Sequence, residues 1–115
     1  LFRSATYLIV THQASAYKSL GIVCKTESQA CEMAEKLQIP DIHFLSNQSS
    51  AFVQGIVITS AHMAKGLEFD EVIIPQVDDK NYHSEIDRSM LYVAVTRAMH
   101  RLTLTYSGTK HTPFI

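Results

Sequence analysis

Two polar clusters in this 115-residue chain sit on apolar scaffolding, and both carry groups suited to phosphate and sugar oxygens. The first is Thr59-Ser60-Ala61-His62-Met63-Ala64-Lys65-Gly66-Leu67-Glu68-Phe69-Asp70, which joins two apolar runs. Thr59, Ser60 and His62 offer hydroxyl and imidazole groups where a strand should end, a placement that suits the phosphates or sugars of a nucleic acid. Lys65 adds a cation to the same segment. Gly66 permits a positive φ or a close backbone approach. Glu68 is a carboxylate beside that turn, able to accept from ribose hydroxyls, with Leu67 and Phe69 as apolar anchors. A plainer reading is a loop in which Lys65 and Glu68 form a solvated i,i+3 pair. The second cluster is Leu91-Tyr92-Val93-Ala94-Val95-Thr96-Arg97-Ala98, whose Arg97 is expected near the C-terminal end of a helix. A cation there can simply offset the negative end of the helix dipole. Held rigid by packed neighbours, the same guanidinium would present its planar donor fork to a phosphate. Spacing alone leaves both alternatives open.

The elements that must hold these clusters follow from local patterning. Ile22-Val23-Cys24 is a short apolar run, as expected of a strand covered on both faces. Thr26-Glu27-Ser28-Gln29 has the capping-box form, with the Thr26 hydroxyl accepting from the Gln29 amide. Ala30, Met33, Ala34 and Leu37 then form one helical stripe that Pro40 should end. Residues 41–45 read as a second short strand and 46–50 as a polar loop. Ile56-Val57-Ile58 and Val72-Ile73-Ile74 are further buried strands, the latter closed by Pro75, and 76–84 reads as a loop. A helix is predicted over 85–99, burying Ile86, Met90, Val93, Ala94 and Ala98. The last strand should place Leu102, Leu104 and Tyr106 on one side and Thr103 and Thr105 on the other. Residues 1–19 stay ambiguous, since Tyr7-Leu8-Ile9-Val10 fits a short strand or part of a helix. Short apolar strands alternating with amphipathic helices give an α/β layered domain with a mainly parallel sheet. Ligands of such sheets sit beyond the carboxyl ends of strands, where His62 and Lys65 are expected.

Composition narrows the class. The length suits one domain. With 46% hydrophobic and 18% charged residues, the balance is that of a soluble globular domain. The net charge of −1 gives no global attraction to nucleic acid, so any basic footprint must be local or come from another domain. No apolar run approaches the roughly 18 residues of a membrane span, and no signal peptide opens the chain. A cytoplasmic protein is expected, with no membrane partner. Cys24 and Cys31 lack metal-ligand spacing and read as reduced core thiols. Asp78, Asp79, His83, Glu85 and Asp87 read as a polar loop entering a helix, with acids near its positive end, rather than as a metal site. Leu1 in place of an initiating methionine reads as a fragment of a larger protein. No G-x-x-x-x-G-K-[ST] phosphate loop occurs.

His62-Met63-Ala64-Lys65-Gly66-Leu67-Glu68-Phe69 resembles motif V of the UvrD/Rep-type superfamily I helicases, and the segment from Leu91 to Ala98 resembles their motif VI. The stretch Ile22-Val23-Cys24-Lys25-Thr26-Glu27-Ser28-Gln29 is similar to the strand-to-helix segment after motif IV. The likeness covers roughly residues 21–106. It implies a RecA-like fold of the P-loop NTPase type: the second motor domain, without the phosphate loop, as one C-terminal domain over 1–115. ATP with Mg²⁺ would be clamped between this domain and an N-terminal RecA-like domain that carries the Mg²⁺ ligands. The chain alone is then not expected to hydrolyse ATP. On this resemblance Arg97 is an arginine finger for the γ-phosphate, Glu68 bonds the ribose, Gly66 is the backbone approach beside it, and Lys65 couples at that edge. Thr59, Ser60 and His62 would face single-stranded DNA, while Thr96 and Tyr92 position the arginine helix, with a core position as the alternative for Tyr92. Ser60 departs from the threonine usual in the family. The interval between Leu37 and Ile56 is too short for a large accessory domain, as in compact helicase IV-like members. Some of their relatives act on RNA polymerase, so a motor directed at such a protein partner is a second reading, and a degenerate non-catalytic domain a third.

Overall fold

Side-chain alternation along the central strands sorts the core into two layers. The computed structural model describes residues 2–37, 42–45, 55–106 and 112–114, with side chains from Tyr7 onward. Its elements are α1 (Phe2–Gln13), β1 (Leu20–Cys24), α2 (Glu27–Leu37), β2 (Ile42–Phe44), β3 (Ile56–Ser60), α3 (Ala61–Ala64), β4 (Phe69–Ile74), α4 (Glu85–Val95) and β5 (Ala98–Leu104). All strand pairs are parallel, in the order β2-β3-β1-β4-β5. Leu20, Ile22 and Cys24 on β1 pack with Ile56, Ile58 and Ile73 against Ile9 of α1 and Ala30, Met33 and Leu37 of α2. Val23 faces the other way, joining Val57, Val72 and Ile74 against Ala61 and Ala64 of α3 and Leu91 and Ala94 of α4. With helices on both faces, every residue of β1 and β3 is buried, which is why these strands read as unbroken apolar runs. The predicted α/β parallel sheet flanked by helices is what forms.

Residues 2–19 form a helix and a connecting loop. Ile9 is fully buried and His12, three residues on, faces inward, whereas Tyr7 and Val10 are exposed; that is helical spacing. The start of α2 is as predicted, the Gln29 amide donating to Thr26 Oγ1 at 3.2 Å. The expected stop at Pro40 and the loop over 46–50 lie outside the described residues.

Helix α4 departs from expectation twice. It ends at Val95 rather than Met99, because Thr96 caps it and the strand β5 takes over from Ala98, drawn into register against Phe69. Its buried face is Asp87, Leu91 and Ala94, while Ile86 is 73% exposed. The cause is Asp87. Its carboxylate receives Lys25 Nζ at 2.9 Å and also closes the capping box with Ser84, so the helix is turned to bring that residue inward. Lys25 above all, helped by N–H groups of His83 and Ser84 and opposed by desolvation, holds the Asp87 carboxyl well below the usual carboxylate range. A depressed folded pKa stabilises above the unfolded value near ~4 and ceases to do so as pH falls through the folded value. Urea unfolding of wild type should therefore show stability falling on acidification below about pH 4, and Asp87→Asn should show a flatter profile with lower stability at pH 7. Equal profiles would remove Asp87 as the cause.

Other expectations need amendment. Cys24 is a core thiol, its pKa pushed up to about 12 by burial, but Cys31 is exposed on α2. At the edge of the sheet, Leu102 is exposed and Leu104 half-buried, so β5 lacks the clean alternation expected of it. Asp78 caps a turn, accepting from the Asn81 backbone N–H at 2.8 Å. Among the described residues no helix is long and apolar enough to cross a membrane.

Candidate functional site

Strand β3 delivers its last two residues, Thr59 and Ser60, to the start of the very short α3. Thr59 is fully buried and its hydroxyl donates to the Leu45 carbonyl at 2.8 Å. Ser60 is also buried, and as the N-cap its Oγ accepts from the Met63 N–H at 3.3 Å. The expected outward-facing hydroxyls are thus corrected: both are used internally, one tying β3 to the end of β2, the other starting the helix that presents His62. His62 itself is exposed. With Lys65, Ile86 and Met90 it lines a groove of about 210 Å³ between α3 and α4.

After Ala64 the chain turns back along the sheet. Gly66 adopts φ +81°, the left-handed conformation its lack of a side chain allows. Lys65 and Glu68 are both exposed, and among the described residues neither enters an ion pair, so the solvated i,i+3 pair is not what forms. Phe69 then plunges into the core beside β1. Its ring occupies the space a side chain at Gly21 would need, since a Cβ there would lie 2.5 Å from Phe69 Cδ2. This role of Gly21 was missed in the sequence, although an isolated glycine in a strand is the recognised sign of close approach.

Arg97 lies in the tight turn between α4 and β5 rather than within the helix. Its backbone carbonyl accepts from the Phe69 N–H at 2.9 Å. Its Nη1 donates to the Leu67 carbonyl at 3.4 Å and its Nη2 to Thr96 Oγ1 at 3.2 Å. Thr96 in turn donates to the Val93 carbonyl at 2.9 Å. Glu68 therefore stands between two residues that are each bonded to Arg97. Arg97 Nε is buried and has no acceptor among the described residues. Tyr92, one turn earlier, is 69% exposed and is not core.

The two clusters meet, but not where strand-end logic put them. Gly66, Leu67, Glu68 and Arg97 gather before the amino ends of β4 and β5, and only His62 lies just past the carboxyl end of β3. Ser60 is level with Cys24, and Ile22 with Ile73. Phe69 is therefore about six residues back along the sheet from Ser60, roughly 20 Å at ~3.3 Å per residue. The four-residue α3 is too short to be a full crossover, so residues 61–68 run along the sheet face and join its two ends.

A family model of the UvrD-like helicase C-terminal domain matches residues 12–109, most of the chain. The chain belongs to the UvrD-like helicase C-terminal domain family. Among curated proteins, DNA helicase II of Escherichia coli K12 is 34% identical over 73 residues, covering 55% of this chain and 10% of that protein. The Gabija protein GajB of Bacillus cereus VD045 is 41% identical over 58 residues, covering 50% of this chain and 12% of that protein. The chain thus spans about a tenth of the length of these curated relatives. Among solved structures, the C-terminal domain of a possible DNA helicase from Lactobacillus plantarum WCFS1 superposes with a TM-score of 0.83 at 25% identity, over 98% of this chain and 70% of that one. An Arterivirus nonstructural protein 10 (helicase) solved with DNA shares the fold, with a TM-score of 0.54 at 15% identity over 96% of this chain and 28% of that one.

Proposed function

We propose that this UvrD-like domain is the second RecA-like motor domain of an ATP-dependent DNA helicase or translocase. On this reading Arg97 is the arginine finger and Glu68 the ribose acceptor of an ATP site shared with an N-terminal RecA-like domain. The observation that carries it is the state of the Arg97 guanidinium. Of its five N–H donors, two make long bonds, at 3.4 and 3.2 Å, and the buried Nε makes none among the described residues. A charged donor group so incompletely satisfied loses little by moving onto a phosphate, whose oxygens match its planar fork. The turn that holds it is rigid, because the Phe69–Arg97 backbone bond joins motif V to motif VI.

The residues present fit a nucleoside triphosphate: an exposed carboxylate at Glu68, a bare backbone turn at Gly66, and cations at Lys65 and Arg97. ATP with Mg²⁺ supplies the transferable phosphoryl group, and the metal ligands belong to the N-terminal domain. On this chain Glu68 accepts from the ribose, the Gly66 backbone allows close approach, and Arg97 offsets charge that develops on the phosphates. At the other end of residues 61–68, exposed His62 contacts single-stranded DNA, while Thr59 and Ser60 hold that turn in shape. One covalent segment spans both ends, so closure of the inter-domain cleft shifts the DNA contact. The protein acts in the cytoplasm.

Ribose recognition tests this assignment. In the full-length helicase, wild type should prefer ATP to its dideoxy analogue. Glu68→Ala should raise the KM for ATP by about 10- to 100-fold, the weight of a hydrogen bond to a charged group, and abolish the preference. A Glu68→Ala variant that still discriminates against the dideoxy analogue would remove Glu68 from the site.

A further inference from the structure

Directly after Arg97 the pairing of β5 with β4 is irregular. Phe69 lies opposite Ala98 and Glu71 opposite Arg101, so two steps along β4 face three along β5. The extra residue makes a bulge at Met99 and His100. A bulge bends its strand, increases the local twist and re-aims neighbouring side chains. It also leaves a residue without ladder partners, which is free to relax unless something else holds it.

Here a second layer of contacts does so. Tyr17, from the loop between α1 and β1, stacks on the His100 ring with centroids 5.7 Å apart and planes within 6°. The Arg101 guanidinium lies over the Tyr17 ring at 4.8 Å. Arg101 also reaches the buried Glu71 at 3.6 Å, and Glu71 bonds His12 of α1 at 2.8 Å. The Tyr17 loop is pinned in its turn: the Lys18 N–H donates to Asp70 Oδ2 at 2.8 Å, and the Asp70 N–H donates to Ser19 Oγ at 2.8 Å. His100 Nε2 stands 3.9 Å from Asp70 Oδ1. Taking Glu71 and His12 out of water is costly, and their 2.8 Å contact with each other, with Arg101 beyond, is what offsets that cost. Every group in this network touches β4 or β5 within four residues of Glu68 or Arg97, or braces one that does.

We propose that the Tyr17–His100 stack, backed by Arg101, Glu71 and His12, is a positioning device that fixes the bulge and thereby aims Arg97. The inference rests on the reading of Arg97 as the arginine finger. Tyr17 and His100 act through Arg97 and touch no substrate, so they are positioning residues.

Single-turnover and steady-state ATP hydrolysis by the full-length helicase, with single-stranded DNA present, provide the test. His100→Ala should lower kcat by about 10- to 100-fold, as expected for misplacement on the order of 1 Å, with KM for ATP changed by less than about two-fold. Tyr17→Leu should do the same, while His100→Phe and Tyr17→Phe, which keep two stacked rings, should retain most of the activity. The His100 side chain is 55% exposed, so thermal melting of His100→Ala should match wild type. In an Arg97→Ala background, adding His100→Ala should produce no further loss, because the groups act as one unit. Turnover of His100→Ala within about two-fold of wild type, beside an inactive Arg97→Ala, would overturn the positioning role and leave the arginine finger standing. A further loss in the Arg97→Ala background would overturn it too, by showing that His100 acts elsewhere. Near-normal turnover in Arg97→Ala itself would overturn both.

Discussion

Replacing Arg97 with alanine in the full-length protein should lower DNA-stimulated ATP turnover by about 10³- to 10⁵-fold, the weight expected of the arginine finger proposed above. The fold should survive. Among the described residues the Arg97 side chain makes only two hydrogen bonds, both long, and its structural bonds, from the Phe69 N–H and to the Ala94 carbonyl, belong to the backbone. DNA binding should survive as well, since the exposed His62 lies at the opposite end of the sheet. Steady-state hydrolysis, circular dichroism and DNA titration separate these effects. Arg97→Lys should restore little, because a point ammonium lacks the planar fork. Near-normal turnover in Arg97→Ala would refute the arginine-finger role, whatever the family membership.

The largest stability effect is expected at Phe69. Phe69→Ala should destabilise the 115-residue chain by about 3–5 kcal/mol, as for other fully buried aromatics. The ring is 1% exposed and packs with Val72, Ala64 and Leu91 in the layer between the sheet and α3–α4. The bare Gly21 backbone lies close beneath it, so the site cannot collapse by moving a side chain into the gap. Because Glu68 precedes Phe69 directly, the same substitution should loosen the proposed nucleotide edge and, on that reading, raise KM for ATP more than it lowers kcat. Urea unfolding measures the first effect and steady-state kinetics the second. A loss below about 1 kcal/mol would show that the ring is not the anchor of this segment.

Family membership bears on these expectations in a limited way. It places the chain among UvrD-like helicase C-terminal domains over residues 12–109. The proposed roles of Arg97, Glu68 and His62 come from the resemblance of the two motifs, and the geometry supports them: an under-satisfied guanidinium is bonded to the turn that carries the carboxylate, and an exposed imidazole stands at the far end of the same segment.

Much of this was legible without coordinates because it is local. The apolar runs that became β1, β3 and β4, the Thr26 cap, the Ala30–Met33–Leu37 stripe and the glycine turn at Gly66 each depend on residues within one or two turns of each other. The chemistry-bearing residues Glu68 and Arg97 were visible for the same reason, as polar groups in otherwise apolar surroundings. What was not visible depends on partners distant in the chain. Ile86 looked like core until Lys25 drew Asp87 inward and rotated α4. Met99 looked helical until the pairing with β4 captured the segment after Arg97. Tyr17, His100 and Arg101 showed no pattern at all, since Tyr17 meets the other two across more than 80 residues of sequence.

From the order of residue types alone came the layered parallel architecture, the two clusters and the groups able to meet a phosphate or a ribose, because hydrophobic period, capping and glycine freedom act over short stretches of chain. Tertiary structure alone decided that Thr59 and Ser60 turn inward, that His62 and Arg97 occupy opposite ends of the sheet, and that a bulge follows directly after Arg97. Those outcomes follow from strand register and burial, which arise only when segments far apart in sequence compete for the same neighbours.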